Sequence, residues 1–94
     1  MLKLDNQARI VIGKSVVNEL GGSHIKLYVT SIDDHSCLML SASEEPNYYL
    51  VGTLKPDAKR RIMIPKKLLV FMGWSTQDQF LLTKHLTKWF LIKL

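Results

Sequence analysis

Ninety-four residues make one small domain with room for one modest core. The 47% hydrophobic content excludes a disordered chain, and the longest purely apolar run, Leu68 to Met72, is too short for a transmembrane helix. The net charge of +5 is uneven: residues 1–47 hold six acidic and four basic side chains, whereas residues 48–94 hold two acidic and nine basic ones, a footprint suited to a polyanion, nucleic acid first.

Leu2 to Leu4 reads as a strand remnant and Asp5 to Ala8 as a turn, where Asp and Asn bond to nearby backbone. Arg9 to Ile12 reads as a strand. Gly13 sits at a helix N-cap, and Lys14 to Leu20 forms a short helix with Val16, Val17 and Leu20 on its buried stripe. Gly21 ends it in the left-handed region. Ile25 to Ser31 is a strand, Asp33 to Ser36 a hairpin turn and Cys37 to Leu40 the return strand. Ser41 to Asn47 is polar, contains Pro46 and reads as a linker.

The second half repeats this order. Tyr48 to Leu54 is a strand, Lys55 to Arg60 a turn and Arg61 to Ile64 a strand. Pro65 opens a helix that runs to Met72 and ends at Gly73. Gln79 to Thr83 and Lys88 to Leu94 form a hairpin around Lys84 to Thr87. In the last strand Phe90, Ile92 and Leu94 share one face, leaving Trp89, Leu91 and Lys93 on the other, expected outer, face. Asp5, Arg9, Ile10, Ile12 and Lys14 recur 52 residues later as Asp57, Arg61, Ile62, Ile64 and Lys66, and Gly21 and Ser23 recur as Gly73 and Ser75. One domain, 1–94, is therefore expected from two repeats of about 45 residues (1–40 and 48–94, linker 41–47), neither able to bury its apolar face alone. The expected fold class is all-β with two short helices, a pseudo-two-fold β-barrel.

The order Asp-x-x-x-Arg-Ile-x-Ile-Pro, short helix, Gly, then Asp and an apolar strand resembles the AbrB/MazE/MraZ/SpoVT superfamily. The second half carries it as Asp57, Arg61, Ile62, Ile64, Pro65, Gly73, Asp78 and Phe80. The first half carries Asp5, Arg9, Ile10, Ile12 and Gly21, with Gly13 in place of the proline and Lys26 in place of the aspartate. The resemblance implies a swapped-hairpin barrel, or a related one, and a DNA-binding transcriptional regulator or an antitoxin. MraZ-like members likewise carry two copies in one chain. Family helices usually have one or two mid-helix arginines, where this chain has Val17, Asn18, Leu69 and Val70. The glycine that usually precedes the motif arginine is here Ala8 or Arg60. These departures favour a one-sided reader built on the second half.

The expected nucleic-acid contacts are Lys55, Lys59, Arg60, Arg61, Lys66 and Lys67, joined by Arg9 and Lys14 from the first half. Arginine grips a phosphate or guanine edge with two hydrogen bonds, and cations in a helix's first turn are not explained by helix stability. Arg9 and Arg61 are equally suited to pair with Asp5 and Asp57. Gly13-Lys14-Ser15 lacks the earlier glycine and flexible loop of a phosphate-binding loop. His24, His35, Cys37 and His85 have no metal-site spacing, so no metal, cofactor or catalytic group is expected. Partners are double-stranded DNA, a homodimer formed through Trp89 and Leu91, or a protein. The lone cysteine and the lack of a signal-peptide core suggest a cytoplasmic protein away from membranes. The alternative is a protein-interaction barrel or an antitoxin-like partner. Against the antitoxin, the chain ends within a strand at Leu94, leaving no toxin-wrapping tail.

Overall fold

The computed structural model describes residues 2–94. In chain order the elements are β1 (Leu2–Lys3), β2 (Arg9–Val11), α1 (Lys14–Glu19), β3 (Ile25–Ile32), β4 (His35–Ser41), β5 (Tyr49–Leu54), β6 (Arg61–Met63), α2 (Lys66–Met72), β7 (Gln79–His85) and β8 (Lys88–Lys93). Six strands form one sheet in the order β1-β7-β8-β4-β3-β5, and β2 pairs with β6 in a separate two-stranded ribbon. All pairings are antiparallel.

The first strand of each half joins the hairpin of the other half: β1 pairs with β7, and β5 pairs with β3. The register maps onto itself when the halves are exchanged. Ile10 lies opposite Ile62 in the ribbon, flanked by Arg9 opposite Met63 and Val11 opposite Arg61. Met39 lies opposite Phe90 at the middle of the sheet, flanked by Leu38–Leu91 and Leu40–Trp89. Leu2 opposite Phe80 answers Leu54 opposite Ile25.

The constant offset of 52 does not survive past the helices. Phe80 answers Ile25, so the connection after α2 is longer than the one after α1, while the β3–β4 hairpin is longer than β7–β8. Lys26 is thus not the positional counterpart of Asp78, whose carboxylate accepts the Ser75 N–H at 2.8 Å.

The ribbon and both helices lie over one face of the sheet. Ile10, Ile12, Ile62 and Ile64 from the ribbon meet Val16, Leu20 and Leu68 from the helices, and Ile25, Leu27, Leu38, Leu40, Phe80 and Leu91 from the sheet. Both helices end in the same way. Gly21 N–H bonds to Asn18 O and Gly22 N–H to Val17 O; Gly73 N–H bonds to Val70 O and Trp74 N–H to Leu69 O. This double closure needs a left-handed residue after the helix, and Gly21 (φ 84°) and Gly73 (φ 70°) supply it. Trp74 then turns into the core against Phe80, ring centroids 4.7 Å apart.

The opposite face carries a smaller cluster of Tyr28, Met39 and Phe90, with Ile92 against it. The linker crosses this face. The Tyr28 hydroxyl donates to Ser43 O and accepts the Glu45 N–H, and Lys88 pairs with Glu45 at 3.0 Å. Tyr48 adds an edge-on ring contact with Tyr28.

Two further sequence expectations change. The fold is mostly β as expected, but the six-stranded sheet is not closed into a barrel, and the three-residue strands β2 and β6 form a separate ribbon. Leu91 is not an outer-face residue: it is fully buried in the main core. Every residue from Trp89 to Ile92 is apolar, so alternation along β8 could not tell the two faces apart. Truncating Leu91 to Ala leaves a cavity in the central strands and should cost about 2–5 kcal/mol of stability in urea denaturation. An interface residue would instead leave the stability of the monomer nearly unchanged.

Candidate nucleic-acid interface

Each strand of the ribbon is introduced by the same carboxylate-centred turn. Asp5 Oδ1 accepts the N–H groups of Gln7 and Arg9, and its Oδ2 accepts Arg9 Nε–H at 2.8 Å. Asp57 Oδ1 accepts Lys59 and Arg61 N–H, and its Oδ2 accepts Arg61 Nε–H at 2.7 Å. The backbone closes each loop: Asp5 N–H to Arg9 O and Ala8 N–H to Asp5 O, then Asp57 N–H to Arg61 O and Arg60 N–H to Asp57 O. Both carboxyls are held below their usual 3.8, foremost by the backbone N–H of Arg9 for Asp5 and of Arg61 for Asp57.

These turns require a left-handed residue just before the arginine. Ala8 takes φ 61° and Arg60 takes φ 58°. A glycine would adopt this conformation without strain, whereas a side chain costs roughly 1–2 kcal/mol there. An arginine at this strained position extends from the turn with no ion-pair partner among the described residues.

In both arginines the Nε is committed to the turn, which fixes the guanidinium in a half-buried setting. Arg9 and Arg61 alternate with the inward Ile10 and Ile62, so they share the ribbon's outward face with Val11 and Met63, which are 49% and 55% exposed. The pairing expected of Arg9 and Arg61 with the turn aspartates is therefore present, and it leaves the terminal guanidinium nitrogens outside those bonds.

The cations of the second half do not form one patch. Lys59 and Arg60 precede β6, while Lys66 and Lys67 follow it. The ribbon carries each group to the other half's elements. Ile12 N–H donates to Arg60 O at 3.0 Å, which sets the second turn beside the entry to α1, where Lys14 stands. Ile64 N–H donates to Ala8 O at 2.8 Å, which sets the first turn beside the entry to α2, where Lys66 and Lys67 stand. All five of these cations are exposed. Lys55 lies beyond the end of β5, outside the ribbon.

The helix entries differ. Gly13 adopts φ 91°, which Pro65, at φ −56°, cannot reach, and neither helix has a side-chain cap or an acidic residue in its first turn. Sequence reasoning missed Val11 and Met63, whose exposure depends on which ribbon face turns inward.

Trp89, expected to form a dimer contact, is half-buried, packs against the main core and donates its indole N–H to Glu19 Oε2 at 3.0 Å. Lys84 Nζ lies 3.0 Å from the same oxygen, and this ammonium, then the indole, holds the Glu19 carboxyl below its usual range. Cys37 is buried, and that burial pushes its thiol upward. Among the described residues no three His, Cys, Asp or Glu side chains gather as a metal-binding group, and no helix is long and apolar enough to cross a membrane.

Comparison with known proteins found no family model, no curated protein and no solved structure that matches the chain.

Two outcomes test the turns. Because the folded carboxyls titrate below 3.8, their contribution is complete above that pH and is lost as pH falls through the lowered folded value. Asp5→Asn with Asp57→Asn should therefore lower stability at neutral pH and flatten the acid limb of a stability–pH series. Arg60→Gly relieves the left-handed strain but adds unfolded-chain entropy, so it should raise stability by up to about 1 kcal/mol in denaturant titration.

Proposed function

We propose that this chain is a small DNA-binding transcriptional regulator of AbrB-like type, built from two tandem swapped-hairpin units. The outward face of the β2–β6 ribbon is its nucleic-acid surface. In this reading the ribbon completes the barrel that the sheet alone leaves open. The exchanged first strands, the self-mapping register and the matching aspartate-centred turns support it.

The observation that carries the DNA reading is the cross-strand pairing of the ribbon. It draws cations of both halves to one element: Arg61, Lys59, Arg60 and Lys14 toward one end, Arg9, Lys66 and Lys67 toward the other. Five exposed cations suit phosphate oxygens, which position a protein on a duplex without reading sequence. The two arginines are pre-oriented by their aspartates, and their terminal nitrogens suit a base edge or a phosphate in bidentate geometry. Val11 and Met63 supply apolar surface between them, suited to a thymine methyl. The protein acts by binding and performs no chemistry on its ligand.

Fluorescence anisotropy with duplex DNA over a salt series tests this reading. If about four phosphates are neutralised, log K should fall against log salt with a slope near −3.6. Lys59→Gln, Lys66→Gln and Lys67→Gln together leave both aspartate–arginine turns intact, so a flattened slope reads charge and not unfolding. Absence of binding at low salt would overturn the proposal.

A further inference from the structure

The β2–β6 ribbon has a pseudo-two-fold axis through its central Ile10–Ile62 pair. The axis exchanges Arg9 with Arg61, Val11 with Met63, and the Asp5 turn with the Asp57 turn. A protein with two-fold symmetry reads a palindrome, because duplex DNA offers axes of the same kind. The backbone of this ribbon meets that condition within one chain. Its side chains do not.

The two turns carry different chemistry at equivalent places. Lys59 and Arg60, both exposed, precede Arg61; Gln7, exposed, and Ala8, buried, precede Arg9. The backbone beneath them is the same. Ala8 and Arg60 are left-handed at φ 61° and 58°, and the carbonyl of each accepts an N–H from the other half, Ile64 for Ala8 and Ile12 for Arg60. Alanine therefore suffices for the loop, and folding gives no reason for an arginine at position 60. A guanidinium donates in a fork that matches the two acceptors of a guanine edge, whereas the glutamine amide, with a donor beside an acceptor, matches adenine. The helix starts differ in the opposite sense. Lys14 and Ser15 stand beside the Asp57 turn, and Lys66 and Lys67 beside the Asp5 turn. Lysine binds phosphate as a point charge, so it supplies cations that the Asp5 turn lacks without adding a second base-reading fork.

We propose that one copy of this chain binds a non-palindromic duplex site in a single orientation, set by its unlike turns. Arg60 adds a guanine contact in one half of the site, and Gln7 adds an adenine contact in the other. This inference rests on the DNA reading above and names the class of site it takes. The size of the ribbon suits it: Arg60 to Ile64 spans about 14 Å at about 3.4 Å per residue, or about four base-pair steps. The major groove admits a two-stranded ribbon and distinguishes all four base pairs. A second copy of the chain is not needed to complete the site.

Selection by the full chain from a duplex pool with a randomised core should return a non-palindromic consensus, bound by one chain per duplex in sedimentation velocity. Palindromes built from either half of that consensus should each bind about tenfold more weakly in fluorescence anisotropy. Lys59→Gln with Arg60→Ala gives the Asp57 turn the side chains that the Asp5 turn has at these places. The double variant should therefore prefer one of the two palindromes to the wild-type site, a gain of binding that a folding defect would not produce. A palindromic consensus, no consensus, two chains per duplex, or an unchanged preference in the double variant would each overturn this inference and leave the DNA reading standing. Absence of binding to every duplex at low salt would overturn both.

Discussion

The fold depends on one exchange: the first strand of each half is hydrogen-bonded to the hairpin of the other. Neither half alone contains a sheet that covers its own isoleucines and leucines. The main cluster draws on both halves and on every layer, from Ile10 and Ile62 in the ribbon to Leu38 and Leu91 in the central strands. Hydrophobic burial here is non-local, and the cooperative unit is the entire domain. The ribbon follows from the same constraint, since Ile10 and Ile62 meet only when the halves interlock.

On that base, two carboxylates do the local positioning. Asp5 and Asp57 each bind two backbone N–H groups and one guanidinium of their own turn. Those bonds fix the loop, set the left-handed residue and aim the arginine along the ribbon. Each arginine thus divides its donors: Nε is bound within the turn, and the terminal nitrogens stay outside those bonds. The left-handed strain sits at Ala8, which is buried, and at Arg60, which is exposed, while the core beneath is apolar.

Much of this was legible in the sequence. Asp-x-x-x-Arg-Ile gave turn and strand at both places, and the spacing of Val16, Val17 and Leu20 gave the buried stripe of α1. Gly21 and Gly73 marked the helix ends because only a left-handed residue completes the closing bonds. Boundaries moved where polar residues continue a ladder: β4 begins at His35 and β7 runs to His85. Three things were not legible. The face of β8 was hidden by four consecutive apolar residues, which misplaced Leu91. The separation of Lys59 and Arg60 from Lys66 and Lys67, and their meeting with the first half, follows from ribbon pairing, which no local pattern encodes. The indole of Trp89 found its acceptor in Glu19, 70 positions away.

The linker that crosses the outer face has a bearing on how the chain is assembled. It is held there by the Tyr28 hydroxyl and the Lys88–Glu45 pair, while the exchanged strands hold the halves together independently of it. Covalent continuity between the halves then acts mainly as a tether. It raises the local concentration of one half around the other, to the order of millimolar for a short connection. A chain cut at the exposed Ser43–Glu44 bond would yield two complementary fragments. Each would lack a strand that the other supplies, and their reassembly would depend on concentration where that of the intact chain does not.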